Sequence, residues 1–403
     1  MAARLLRTLP PDLLRGRKVL VRADLNVPLR DGAVADDTRI RASVPTLDLL
    51  TDAGASVILL SHLGRPGGAP DPSLSLSPVA DRLGELARGR VSFLGTTVGP
   101  EVAERVASLK PGEILVLENT RFLPGETSND PEMARALGRL ADLYVDDAFG
   151  TAHRAHASTE GVARVVKESG GLAVAGLLLE RELSYLGGVL ADPERPFVAL
   201  LGGAKISGKI DVVEALLPRV DRLLVGGAMA NTFFLALGLD VGDSLVEPDR
   251  VEMARELMER AGDRLVLPVD CRVAPSIDAE ATVRVTDRDG VKAGERIGDI
   301  GPETEALFKE IVLDARTVVW NGPMGVFELE PFAHGTLAVA RAVAQATDAG
   351  ATSVLGGGDS AAAAEAAGVT GRLSHVSTGG GASLEFLAGE TLPGVAILSQ
   401  EET

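Results

Sequence analysis

Residues 355–368 read "LGGGDSAAAAEAAG", three glycines, an acid and a hydroxyl set directly before a run of alanines. Adjacent glycines cost backbone entropy that an ordinary strand-to-helix turn avoids. A helix N-terminus offers unpaired N–H groups and the positive end of the helix dipole, which together hold phosphate. The pattern predicts Asp359 or Ser360 as N-cap, with Gly357 and Gly358 baring the backbone and Asp359 directed at a metal on the phosphate. A plain glycine turn with a cap accounts for one glycine, less readily for three. "GGAKISGKI" places Lys205 and Lys209 four residues apart, expected on one face of a helix that starts after the glycines. Like charges on one face destabilise a helix mildly, so phosphate contacts explain this pair better than helix stability does. The chain has no GxxxxGK[ST] segment and is therefore not a P-loop protein.

The first half carries chemistry of another kind. Asp24 and Asn26 follow "KVLVRA", His62 and Arg65 lie in "SHLGRP", Arg121 in "ENTRF", and His153 and Arg154 in "AHRAHAS". Arg39 sits in "DDTRI", where Asp36 and Asp37 are near enough for an ordinary ion pair. Any one of these arginines is accounted for as a surface residue. Four of them and a histidine near strand ends read as a site for a small, multiply charged anion, because the guanidinium fork suits carboxylate and phosphate. His153 and His156 have i,i+3 spacing, but no third ligand stands nearby and no zinc site is expected.

The elements that must position these residues are short Val/Leu/Ile runs, each ending in a polar or glycine-rich loop: among them "KVLVRADLNVP", "SVILLSHLGRP", "FVALLGGAKI", "RLVLPVDCRV", "TVVWNGPMG" and "TSVLGGGDS". Amphipathic helical stretches such as "DPEMARALGRLA" separate them. Continuous rather than alternating apolar runs indicate strands buried on both faces, and alternation with helices indicates parallel sheets of βαβ units. Ligands of such sheets sit beyond the carboxyl ends of the strands, where these loops are. "LLLERELSYLGGVL", 177–190, predicts a helix ending at Gly187 and Gly188 that joins two domains.

A chain of 403 residues exceeds the size of most single cores. A net charge of −17 argues against general nucleic-acid binding. One cysteine, Cys271, excludes an internal disulfide framework and fits a reducing compartment. "MAARLLRTLP" lacks the apolar core of a signal peptide, and "GLAVAGLLL" at 171–179 is too short to span a bilayer. These features predict a soluble, cytoplasmic protein with no membrane partner.

Nine motifs in order, "VRADLNVP", "DDTRI", "SHLGRP", "LENTRF", "DAFGTAHRAHAS", "LGGAKISGKI", "WNGPMGVFE", "GGGDS" and "STGGGASLEFL", resemble those of phosphoglycerate kinases from about residue 19 to 389. The resemblance implies two doubly wound parallel-sheet α/β domains with a hinge. Residues 1–176 would bind 3-phosphoglycerate and 191–385 Mg-nucleotide, with helix 177–190 between and the tail 386–403 returning to the first domain. By motif position Asp24, Asn26, Arg39, His62, Arg65, Arg121 and Arg154 would hold phosphoglycerate. Gly203, Ala204, Lys205, Gly227, Asn321, Glu328, Gly357, Gly358, Asp359 and Ser360 would hold ATP or ADP, with Glu328 on the ribose and Asp359 on Mg²⁺. Arg39, Lys205 and Lys209 would act on the transferring group, and a monomer is implied. Leu25, Asp146 and Gly208 depart from the family's usual aromatic, Asn and Asp. Acceptors in this chemistry are already ionised, so no general base is required, consistent with the lack of a triad. A nicotinamide dehydrogenase would need GxGxxG after an early strand, which the chain lacks. A non-enzymatic two-domain anion-binding protein would explain the arginines but not the glycine loops with Lys205 and Asp359.

Overall fold

The computed structural model describes residues 3–399. Residues 1–2 and 400–403, the outer ends of the expected first domain and tail, lie outside the described residues. The chain divides into two compact units. One runs to Ser184 and resumes at Thr391, and the other runs from Tyr185 to Glu390.

In the first unit, strands β1 (Lys18–Ala23), β2 (Ser56–Leu60), β3 (Arg90–Leu94), β4 (Glu113–Leu117), β5 (Leu143–Asp147) and β6 (Leu172–Ala175) form one sheet. Their order is β3-β4-β2-β1-β5-β6, and every pairing is parallel. β2 and β5 are buried at every position, as continuous apolar runs require. The runs predicted from sequence include neither β3 nor β6. β3 is an edge strand with an exposed or half-buried face throughout, and β6 passes through Gly176 into helix Leu177–Ala191 with little change of hydropathy. Periodicity alone cannot separate such a strand from a helix.

The second unit holds β7 (Phe197–Leu201), β8 (Arg222–Val225), β9 (Leu265–Val266), β10 (Asp270–Ala274), β11 (Arg284–Asp287), β12 (Arg296–Ile300), β13 (Thr317–Asn321), β14 (Thr352–Gly356) and β15 (His375–Val376). Six of them make a parallel sheet in the order β9-β8-β7-β13-β14-β15. The other three form a small antiparallel sheet, β11-β10-β12. "RLVLPVDCRV" is therefore two strands of two sheets, divided at Pro268, which has no N–H for a ladder.

In both large sheets the order of strands reverses beside the first strand, between β1 and β5 and between β7 and β13, while all strands stay parallel. Crevices open at such switch points, beyond the strands' carboxyl ends. The cores on either side are aliphatic, with Val19, Val21, Val57 and Leu59 in one and Val198, Leu200, Val318 and Trp320 in the other. Each such side chain removed from water contributes about 1.5–3 kcal/mol, which fixes the strand ends firmly.

Helix Leu177–Ala191 does not stop at Gly187 and Gly188 but runs through both. A Cβ on either glycine would meet nothing within 4 Å. A helix-interior glycine costs about 1 kcal/mol relative to alanine, too little to end a helix with good formers on both sides. In the first unit the segment after Thr391 is tied down by backbone bonds from Gly394 to Ala152 and from Arg4 to Leu398, and Lys167 Nζ donates to Ile397 and Ser399 carbonyls.

Candidate functional site

In the first unit the loops after β1, β2 and β4 are laced together. Asn26 Oδ1 accepts the Gly64 N–H at 2.9 Å, and Arg121 Nη1 donates to the Gly64 carbonyl at 2.8 Å. Asn119 holds the start of the Arg121 turn by accepting the Arg121 N–H at 3.1 Å. The glycine between His62 and Arg65 thus ties together loops that carry Asn26, His62 and Arg121. Arg39, at the start of helix Thr38–Asp52, pairs with Asp24 at 2.8 Å rather than with Asp36 or Asp37. Asp37 is already taken by Arg41, one helical turn on, and by Arg82, and the two guanidiniums lower its pKa. Arg65 and Arg154 are exposed beside this group.

The electrostatics here favour negative charge. Arg121 Nε is buried and has no hydrogen-bond partner among the described residues. Its pKa is lowered by burial and by the charge of Arg22, with Arg154 adding to the effect. His62 is buried, and desolvation together with Arg22, Arg121 and Arg39 holds it well below the ordinary imidazole range. His62 therefore acts as a neutral donor or acceptor near neutral pH. Converging cations with an orphaned donor cost stability that a bound carboxylate or phosphate offsets.

In the second unit three loops are stitched by their backbones. Gly203 donates to the Pro323 carbonyl, Gly227 to that of Met324, and Met229 to that of Gly203. They line part of a cavity of about 700 Å³ whose walls include Gly203, Ala204, Gly227, Glu328 and Asp359, together with apolar Leu245 and Val326. Asn321, at the end of β13, bridges to β14 by donating from Nδ2 to the Gly356 carbonyl at 2.7 Å. Lys205, Lys209, Asn321, Gly357, Gly358 and Ser360 border this region without forming the cavity wall.

Lys205 and Lys209 do not share a helix face. Helix Ile210–Leu216 begins after both, and each lies in the preceding loop. Lys205 is exposed. Lys209 is largely buried, and its Nζ donates to the backbone carbonyl of Asn321 at 2.9 Å and to the Asn321 Oδ1. Burial lowers its pKa to about 8, against the pull of Asp359. Gly322, at φ +92°, would drive a Cβ into the Gly202 backbone carbonyl as well as into Lys209 Nζ, and the backbone contact requires glycine.

The N-cap of helix Gly358–Ala366 is Gly357, at φ +91°, rather than Asp359 or Ser360. Only a residue without Cβ accepts that backbone cheaply, and a Cβ there would also lie 3.0 Å from Asn321 Nδ2. Ser360 is fully buried, and its Oγ accepts the Gly322 N–H at 2.7 Å, so its hydroxyl serves the loop. A Cβ on Gly358 would meet nothing. Packing does not demand that glycine, whereas a ligand approaching the backbone would. Asp359 is exposed in the first helical turn with no hydrogen-bond partner among the described residues.

Sequence reasoning missed Arg22 and Glu126, fully buried charges beneath the first cluster. Arg22 stands inside an apolar strand run, and that was the available signal.

Two doubly wound sheets, one with grouped arginines at its strand ends and one with a glycine-walled cavity beside a buried lysine, define a two-domain α/β phosphotransferase. The phosphoglycerate kinase family profile matches residues 12–390. A Chloroflexus aurantiacus protein named phosphoglycerate kinase is 57% identical over 393 residues, covering 96% of this chain and 97% of its own. The solved structure of phosphoglycerate kinase from Coxiella burnetii superposes with a TM-score of 0.88 at 41% identity over 98% of both chains, and that from Pyrococcus horikoshii OT3 with 0.83 at 35% over 98% of both. The chain belongs to the phosphoglycerate kinase family.

Proposed function

We propose that the protein transfers the acyl phosphate of 1,3-bisphosphoglycerate to Mg-ADP, giving 3-phosphoglycerate and ATP in glycolysis, and catalyses the reverse reaction. The observation that carries this reading is the family match across residues 12–390, which takes in both clusters. The phosphoglycerate domain takes in residues 1–176 and the nucleotide domain 191–385, with helix 177–190 joining them; of the 386–403 tail, the part from Thr391 belongs to the first unit, while 386–390 stay with the second.

Asp24, Asn26, Arg39, His62, Arg65, Arg121 and Arg154 bind phosphoglycerate. The orphaned Arg121 Nε and the neutral His62 supply hydrogen bonds to its oxygens, and Arg65 and Arg154 supply charge from the exposed side. Gly203, Ala204, Gly227 and Glu328 receive the nucleoside, and Lys205, Asn321 and the N–H groups of Gly357, Gly358 and Ser360 receive its phosphates. Asp359 fits Mg²⁺, because an exposed, unpartnered carboxylate beside a phosphate site is the oxygen donor this ion takes. The ion, when bound, neutralises phosphate charge. Arg39, Lys205 and Lys209 stabilise charge on the transferring group. The attacking oxygens are ionised at neutral pH, so the residues need to position and neutralise rather than move a proton.

No helix among the described residues is long and apolar enough to cross a membrane. We assign the protein to the cytoplasm, as a monomer that binds neither membrane nor nucleic acid. The test of the activity is Mg-ATP-dependent phosphorylation of 3-phosphoglycerate, coupled to NADH oxidation through glyceraldehyde-3-phosphate dehydrogenase. Turnover that requires both Mg²⁺ and 3-phosphoglycerate is expected. Folded protein that binds Mg-ATP without turnover would overturn the assignment.

A further inference from the structure

Arg22 lies in β1 and is fully buried, a cation with no role in the assignments above. Each of its three guanidinium nitrogens makes a contact. Nε donates to Ser158 Oγ at 2.9 Å, Nη1 to the Ala23 carbonyl, and Nη2 meets His62 Nδ1 at 3.0 Å. Ser158 Oγ in turn donates to Glu126 Oε1 at 2.6 Å, and the Ser158 N–H donates to Glu126 Oε2 at 3.0 Å. A buried carboxylate therefore faces the guanidinium through one hydroxyl, which offsets the desolvation of both and fixes the guanidinium plane. Lysine could not reach Ser158, Ala23 and His62 together, because it lacks the planar fork.

A guanidinium only donates. Its contact with His62 Nδ1 requires that nitrogen to be bare, and a neutral ring then carries its proton on Nε2. His62 Nε2 has no hydrogen-bond partner among the described residues, yet it is not one of the occluded unpaired atoms. The charged and titratable groups around the ring are Arg22 from β1, Arg39 from helix Thr38–Asp52, Arg121 after β4 and His156 before the turn that carries Ser158. Burial and these charges oppose protonation at Nδ1.

We infer that Arg22 is a positioning residue that locks His62 as its Nε2–H tautomer and sets the ring's orientation, so that His62 presents one neutral donor to the anionic substrate. The identity of that substrate rests on the reading above, whereas the tautomer does not.

The primary test is long-range ¹H–¹⁵N NMR of protein labelled on its five histidine rings, with the His62 signals assigned by their loss in His62→Gln. The expected pattern is a proton on Nε2 and a bare Nδ1 from about pH 5.5 to 8.5. A proton on Nδ1, or a ring titrating in the ordinary imidazole range, overturns the inference. Kinetics supply a readout that a merely structural role would not move. Arg22→Met should raise the KM for 3-phosphoglycerate about tenfold and leave that for Mg-ATP unchanged. In the His62→Gln background the further rise should be under about threefold, because Arg22 would have lost the group it acts through. Equal rises in both backgrounds would mean that Arg22 acts by its own charge, and the positioning role falls. If Arg22→Met does not fold, the unsubstituted protein's spectrum decides. If that spectrum shows Nε2–H but 3-phosphoglycerate neither binds nor reacts, the tautomer lock stands and the substrate reading fails.

Discussion

Lys209 is a side chain whose charge depends on its surroundings. Its Nζ is held by both oxygens of Asn321, and burial brings its pKa down to about 8. A lysine with a lowered pKa loses its charge as pH rises through that value, so kcat/KM for the nucleotide should decline above about pH 8. Bound phosphate favours the charged form, so kcat itself should decline at higher pH. A kcat/KM flat beyond pH 9, about a unit above that value, would show that the charge of Lys209 is not used. Arg39 is held ready by its ion pair with Asp24 at 2.8 Å. Arg39→Ala should lower kcat by about 10²–10³ with little change in nucleotide affinity, measured as the KM for Mg-ATP. A near-normal kcat would remove it from the transfer step.

The entry to helix Gly358–Ala366 separates two uses of glycine. Gly357 answers to the backbone, at φ +91° with Asn321 Nδ2 close by. Gly357→Ala should destabilise the protein by about 1–3 kcal/mol in chemical denaturation. Gly358 has open space where a Cβ would go. Gly358→Val should therefore leave stability within about 0.5 kcal/mol. It should nevertheless raise the KM for Mg-ATP about tenfold by blocking approach to the first-turn N–H groups. Unchanged nucleotide affinity would mean that the phosphates bind elsewhere on the loop.

Stability of the whole protein should carry the signature of its buried acids. Asp146, fully buried at the end of β5, accepts the Ala148 N–H with Oδ1 but leaves Oδ2 unpaired, and burial raises its pKa to about 6. The folded state then binds a proton more tightly than the unfolded chain, so this group's contribution is greatest at low pH and is lost as pH rises from about 4 to 6. Asp147 and Asp299, both raised to about 7 by burial, act in the same direction. Asp146→Asn keeps the acceptor and removes the charge. It should stabilise the protein at pH 8 by on the order of 2–3 kcal/mol and give no gain near pH 4, read from urea midpoints at the two pH values. Equal effects at both would show that Asp146 does not titrate in this range. The two ligands are proposed to sit on separate units, and transfer between them calls for closure on binding. Small-angle scattering should therefore change with 3-phosphoglycerate and Mg-nucleotide together more than with either alone.

Much of this was legible without coordinates. Val/Leu/Ile runs ending in "DLN", "SHLGR", "GGAK" and "GGGDS" dictate buried parallel strands with polar loops at their carboxyl ends, because only a doubly covered sheet buries runs of that kind. The same runs fix which loops can carry arginines and which carry glycines. Partner choice was not legible, because it depends on distance through space. Arg39 finds Asp24 rather than its neighbour Asp37, Lys209 finds Asn321 across 112 positions, and Ser360 serves Gly322. Helix limits also escaped local reading, since a helix that is stabilised by tertiary packing runs through Gly187 and Gly188 and another starts only after Lys209. Local chemistry sets what each segment can become and what it can bind. Burial decides which charges meet, because only inside the fold does leaving a polar group unpaired become costly.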